Sequence, residues 1–214
     1  MPKRYSRSFF HQSAAIVARE LLGSNLHRVW KGTELVGKIV ETEAYCIGDA
    51  ACHAFRGKTK RNEVMFGVGG FSYIYFTYGM HHCFNITANE EGIAEAVLVR
   101  GIEPIAGIET MRELRPNATR GGTRDRELTN GPGKLAQAMA LTREENATDL
   151  IESDTIFLTR PSKVVPPNLI GVSTRIGINV AQEHLWRFFI EGNDYVSRTK
   201  PSVPGAVIKR HRTR

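Results

Sequence analysis

The chain has 214 residues, 41% of them apolar, which suffices to bury the core of one large domain or two small ones. Its 29 Lys and Arg against 22 Asp and Glu leave a net charge of +7, a balance that suits a polyanionic partner such as nucleic acid and equally an unspecialised basic surface. No apolar run approaches the ~18 residues of a membrane span, the basic start MPKRYSRSFFHQS lacks a signal-peptide core, and three cysteines without a CxxC pair argue against a disulfide framework. An intracellular protein with reduced thiols and no membrane association is the expectation.

In chain order, SAAIVARELLG carries a Ser cap, apolar residues at helical spacing and a closing Gly, so a helix is predicted over residues 14 to 22. LHRVW and ELVGKIVETEAY flank Lys31-Gly32 and read as a hairpin. YIYFTY is a further strand with Tyr78-Gly79-Met80 at its turning end, and after the polar stretch NITANEEG a strand is expected near residues 94 to 100. Helices follow in EPIAGIETMRELR and PGKLAQAMAL, the second opened by Pro132 at a favourable first position. The amides at that helix start, with Lys134, suit a phosphate, although a packed structural helix start is the commoner role. RELRPNATRGGTRDR (112–126) reads as an exposed basic loop, TIFLT, TRIGIN and LWRFFIEG as strands around the loop PSKVVPPN, and the basic end from about 205 to 214 as a flexible tail. With no internal repeat or long linker, residues 1–214 are expected to form one domain of mixed α/β (α+β) class with a largely antiparallel sheet.

Several motifs are absent or broken. GVGG (67–70) lacks the third glycine and the context of a dinucleotide fingerprint, and NGPGKL has the wrong spacing for a P-loop. Neither HExxH nor GxSxG occurs. Cys46, Cys52, His53, His81, His82 and Cys83 are of the types zinc prefers, but their spacing matches no common zinc pattern.

ETEAY is more informative. A period of two puts Glu41, Glu43 and Tyr45 on one face of their strand and Val40, Thr42 and Ala44 on the other. The pattern alone favours a solvated face, since acidic residues are poor strand formers. If a carboxylate is instead held in a cleft it can activate water, and a glycosidic bond, cleaved through an oxocarbenium-like state, is a natural target. Tyr73 and Tyr75 share a face, for which a core or sheet-surface role is usual. Tyr78 and Met80 differ, because Gly79 permits a tight turn that carries them outward as a wedge, the device with which architectural and base-flipping proteins enter DNA.

The block from VETEAYCIGDAACHAFRGKTKRNEVMFGVGG through FSYIYFTYGMHHCFNITANEEGIAEAVLVRGIEPIAGIETMREL resembles the alkyladenine (3-methyladenine) DNA glycosylase family, of the monofunctional type. The similarity continues through TNGPGKLAQAMAL and more loosely through STRIGI and WRFFIEGNDYVS, covering about residues 14 to 198. The resemblance implies a curved, partly barrel-like sheet flanked by helices, with a β-hairpin over residues 73 to 85 protruding into damaged double-stranded DNA. It implies excision of alkylated or deaminated purines, 3-methyladenine-type lesions or hypoxanthine, in base excision repair, by a monomer in the cytoplasm, nucleoid or nucleus according to host. Glu43 becomes the general base and Arg100, in VLVRGIEP, the group that holds its water; an adjacent Arg favours an ionised carboxylate. Tyr45 and His53 are implied on one side of the flipped base and Tyr75 on the other, where a cationic ring gains from aromatic faces. Asn85 is implied to obstruct guanine, Tyr78 to intercalate with Met80 beside it, and Arg61, Asn62 and Lys134 to contact phosphates. No metal or organic cofactor is implied. His81 and His82 depart from the aromatic residues of some relatives. The alternatives are a DNA bender without catalysis, and a zinc-dependent base deaminase, whose H-x-E and P-C-x-x-C pattern is missing.

Overall fold

A computed structural model describes residues 3–77, 79, 81–118 and 125–197. Tyr78, Met80 and the basic tail lie outside these described residues.

The longest strand organises the molecule. β2 (Thr33–Tyr45) turns back on β1 (Asn25–Trp30) through Lys31-Gly32, with Trp30 opposite Thr33. Its other edge pairs along its length with β5 (Glu95–Ala106). β4 (His81–Ala88) joins β5, and β3 (Ser72–Thr77) joins β4 as the outer arm of a hairpin. β6 (Ile156–Thr159) pairs with β1 on the opposite edge. The order is β3-β4-β5-β2-β1-β6, all antiparallel, and beyond the end of β1 a second branch, β8 (Arg187–Ile190) followed by β7 (Ile170–Ser173), pairs with the last part of β2. The eight strands form a mixed α/β fold with a largely antiparallel sheet. That sheet stays open rather than closing into a barrel, because β3 and β6 end the path without meeting.

Alternation along the strands divides the two faces. Ile74, Phe84, Ile86, Val97, Val99 and Ala44 point into one apolar core. There, after the short α1 (Arg7–Phe10), they meet α2 (Ala14–Glu20), whose Ala14, Val17 and Ala18 are buried, and α4 (Pro132–Ala138), which packs on β4 and β5. Fully buried Leu21 and Val17 contribute roughly 1.5–3 kcal/mol each by leaving water. Helix α2 is capped differently from the reading of its Ser. Ser13 makes no capping hydrogen bond; the Ala14 N–H donates 2.6 Å to Glu95 Oε2 on β5, while Oε1 accepts the Ile47 N–H at 3.1 Å. A buried carboxylate of the sheet thus satisfies a helix-end amide and ties the helix to the strand.

Two predicted elements are displaced. The expected helix over EPIAGIETMRELR begins only at Ile108 (α3, Ile108–Leu114), because Glu103, Pro104 and Ala106 still pair with Lys38, Gly37 and Val36. Pairing against a long partner strand overrides local helix preference there. TRIGIN is not a strand: β7 ends at Ser173, and residues 174 to 179 run irregularly across the site face. The basic stretch 112–126 is not free at its described ends either. Arg112 grips Asp125 through both carboxylate oxygens at 2.7 and 2.8 Å, and Arg115 donates to the Leu128 carbonyl at 2.6 Å.

Candidate active site

The face of the sheet away from α2 collects the chemistry, and strand register lines it up. Tyr73 on β3 lies opposite Asn85 on β4, Asn85 opposite Leu98 on β5, Leu98 opposite Glu43 on β2, and Glu43 opposite Arg187 on β8. With neighbouring strands roughly 4.8 Å apart, this row places an aromatic wall, an amide, a carboxylate and a guanidinium in sequence across five strands.

Both carboxylates of ETEAY are buried with no exposure, so the solvated face that the pattern favours is not what forms. The cause lies far away in sequence: β8 covers the free edge of β2 beside Glu41 and Glu43, and the segment 193–197 covers Glu41. Glu41 Oε1 accepts from Arg187 Nε at 2.7 Å and Arg100 Nε at 3.0 Å, and Oε2 accepts from the Ser197 N–H at 2.7 Å. Glycine is required at 101, since a Cβ there would stand 2.7 Å from the Tyr195 carbonyl oxygen of the same covering segment. Burial alone would raise the Glu41 carboxyl; Arg100, Arg187 and the Ser197 amide outweigh it and hold it below its ordinary value.

Glu43 Oε1 accepts the Ile176 N–H at 2.7 Å, and Oε2 accepts Tyr45 Oη at 3.0 Å and Arg100 Nη1 at 3.3 Å. Among the described residues three donors occupy a group with about four lone-pair positions, so one remains. Burial opposes the charge of Arg100, yet Glu43 and Glu41 more than offset this and raise its affinity for its proton. The Tyr45 hydroxyl is pushed well above its usual range by burial and then by the Glu43 charge, so it stays a donor.

Against this centre opens a cavity of about 340 Å³, lined by Tyr45, His53, Tyr73, Tyr75, Asn85 and Arg100 among others, with Ile176 to Ile178 and Pro132 closing its side. His53 Nδ1 is 2.8 Å from Tyr73 Oη. Its ring meets the Tyr75 ring edge-on, with centroids 4.5 Å apart. Burial and then the nearby Arg61 lower the His53 pKa, leaving a neutral imidazole. Burial pushes the Tyr73 hydroxyl up to about 12. The Asn85 amide donates to the Tyr73 carbonyl at 2.9 Å and the Cys83 carbonyl at 3.3 Å, which fixes its orientation. His53 and Tyr75 thus touch each other, and both line the cavity together with Tyr45. Tyr45 is backed by the Arg175 guanidinium, 4.7 Å from its ring centre, and Arg175 is itself clamped to Asp49, with Nη2 2.9 Å from Oδ1.

Residues 8–194 match the family model described as methylpurine-DNA glycosylase. The chain belongs to the methylpurine-DNA glycosylase family. A relative from Carboxydothermus hydrogenoformans is 47% identical over 192 residues, spanning 90% of this chain and 97% of that one. One from Chlorobaculum tepidum is 46% identical over 204 residues, 94% of each chain, and one from Natranaerobius thermophilus is 43% identical over 194 residues, 88% of this chain and 96% of the relative. Each bears the name "Putative 3-methyladenine DNA glycosylase".

Of the three residues that the resemblance assigns to phosphates, Asn62 and Lys134 are held by partners within the protein and Arg61 is exposed. Asn62 is buried and spends its amide inside its own loop: Nδ2 donates to the His53 and Gly57 carbonyls at 2.9 and 3.1 Å, and Oδ1 accepts from the Thr59 N–H and hydroxyl at 2.6 and 3.0 Å. With both donors and both lone pairs used, it organises the loop that carries His53 and has nothing left for DNA. Lys134 Nζ is held by Glu127 Oε2 at 2.6 Å and Asn130 Oδ1 at 2.7 Å, so its charge is locally neutralised. Arg61 is exposed and lies over the Tyr75 ring, 5.2 Å from its centre.

Gly79, at the hairpin tip, has φ +65°, the left-handed geometry that suits a tight turn. His82 packs on Phe76 across the hairpin, with ring centres 5.0 Å apart, and with His81 lines a second cleft of about 500 Å³ shared with Arg28 and Trp30. Sequence reading missed Arg187, Arg175, Ile176 and Ser197. A signal existed for the first: LWRFFI carries one charge inside an apolar strand.

Proposed function

We propose that the protein is a monofunctional DNA glycosylase that flips an alkylated or deaminated purine out of double-stranded DNA and hydrolyses its N-glycosidic bond. The observation that carries this reading is a buried carboxylate, Glu43, with one unoccupied lone-pair position, set directly behind an aromatic cavity of purine size and beside a guanidinium. In this reading Glu43 accepts the proton of the attacking water as it reaches the sugar carbon, and its negative charge stabilises the oxocarbenium-like state. Arg100, which donates to Glu43, steadies the water. The purine stacks among the Tyr45, His53 and Tyr75 rings that line the cavity. An alkylated ring is already a good leaving group, so the work lies in positioning and charge rather than in a strong acid.

Asn85, held by two carbonyls, lines the cavity, and its role is to turn away guanine through the 2-amino group. Tyr78 and Met80 fill the gap left in the stack, at an unstacking cost on the order of a few kcal/mol. Among the described residues no lysine lines the cavity, which supports water rather than an amine as the nucleophile and hence no strand cleavage by the protein itself.

The test uses a duplex with one hypoxanthine and, separately, methylated genomic DNA. Free base should appear by chromatography, and the oligonucleotide strand should break only after alkali. A strand break without alkali would refute the monofunctional assignment, and binding with no base released from either substrate would favour the non-catalytic DNA bender.

A further inference from the structure

Four charged side chains meet at the centre of the site, two carboxylates and two guanidiniums, and of the four only Arg100 lines the cavity. Arg187 is fully buried on β8 and does not line the cavity. Its Nε donates to Glu41 Oε1 at 2.7 Å, Nη1 to Ser173 Oγ at 2.9 Å and Nη2 to the Ser197 carbonyl at 3.3 Å, and its guanidinium carbon lies 4.4 Å from the centre of the Phe189 ring. Arg100 is shared between the two carboxylates and sits closer to Glu41, at 3.0 Å, than to Glu43, at 3.3 Å.

We propose that Arg187 is a positioning residue for the reaction, which by neutralising Glu41 leaves Arg100 available to Glu43. This rests on the reading of Glu43 as the base. Without Arg187, two buried carboxylates would share one cation. The pair then reduces its charge by taking up a proton, and Arg100 is drawn toward Glu41. A carboxylate that has lost its charge cannot accept a proton from water. The other titratable or charged groups around the pair do not replace Arg187. Tyr45 donates to Glu43 and stays protonated. Tyr75 on β3 and Cys83 on β4 both have their ionisation suppressed by burial. Arg175 is committed to Asp49. The Ser197 amide, on the segment that Arg187 also grips, adds a neutral donor but no charge.

Base release under single-turnover conditions is measured from pH 5 to pH 9 for the unaltered protein, Arg187→Gln, Arg187→Lys and Glu41→Gln, with carboxyl carbon NMR of glutamate-labelled free protein over the same range. Arg187→Gln should move the acid limb of the rate profile up by about one pH unit or more, so that its defect at low pH exceeds that at high pH by about tenfold, with lesion-DNA affinity unchanged. Arg187→Lys should restore most of the limb. Glu41→Gln, which leaves the cations in excess, should move it the other way. In the NMR titration a carboxyl of the pair should take up a proton at higher pH in Arg187→Gln than in the unaltered protein, a readout that stands whether or not a base is released. A limb that stays in place in both Gln variants, with no carboxyl titrating differently, would overturn the proposal and leave Arg187 as packing. If Arg187→Gln fails to fold, a Glu41→Gln limb that does not move down overturns it equally. An unaltered protein that releases nothing, with the NMR shift present, would count against the glycosylase reading and not against this coupling.

Discussion

The charged centre and the aromatic cavity are built on the same strands, and they are held in different ways. Around Glu41 and Glu43 the donors come from β2, β5, β8 and the segments before and after β8, and the two carboxylates have no exposure. The cavity is half-open, its His53 is carried by the loop that Asn62 organises, and the hairpin beside it presents Phe76, 44% exposed, to solvent. The difference matches what each does in the proposed reaction. A centre that stabilises developing charge works best when its dipoles are fixed in advance, whereas a pocket that admits a flipped ring needs walls with freedom to part.

Glu41→Ala leaves Arg100 and Arg187 buried with a shared partner gone, and should destabilise the protein by roughly 3–5 kcal/mol, read as a large fall in denaturation midpoint. Tyr75→Ala should do the reverse. The loss of stacking, roughly 1–3 kcal/mol, should weaken lesion-DNA binding more than it lowers the melting temperature. Asn62→Ala should cost about 1–3 kcal/mol of stability by stranding the carbonyls and amide of its loop, while affinity for undamaged DNA stays unchanged; a drop in that affinity with no loss of stability would restore Asn62 as a phosphate contact. Tyr45→Phe should have the smallest effect, slowing base release by a few fold, because it removes one of three donors to Glu43 and keeps the ring.

Acid dependence sharpens the same contrast. Glu41 is held below the 4.5 of a free side chain, so its contribution to stability is complete above about pH 4.5 and is lost as pH falls through the lowered native value. The melting temperature should decline across that window in the unaltered protein and decline less steeply in Glu41→Gln.

The sequence disclosed local features and hid distant ones. Lys31-Gly32 announced its hairpin, the period of two in ETEAY grouped Glu41, Glu43 and Tyr45, and the same alternation grouped Tyr73 with Tyr75. Whether the carboxylates would be buried was not decidable locally, because their cover comes from Arg187 and Ser197, 146 and 156 positions away. TRIGIN has the composition of a strand, yet Arg175 is drawn to Asp49 and the Ile176 amide to Glu43, and tertiary contacts of that kind override propensity. Asn62 and Lys134 looked like surface polar residues, since nothing in a short window shows that each would find partners within its own loop or helix turn.

The most direct measurement is single-turnover release of hypoxanthine or methylated purine by the unaltered protein and by Glu43→Gln, with lesion-DNA affinity measured alongside. Removing a positioned general base should slow release by about 10²–10⁴-fold while the variant still binds lesion DNA. Release at a similar rate in Glu43→Gln would contradict the account and move the chemistry elsewhere in the site.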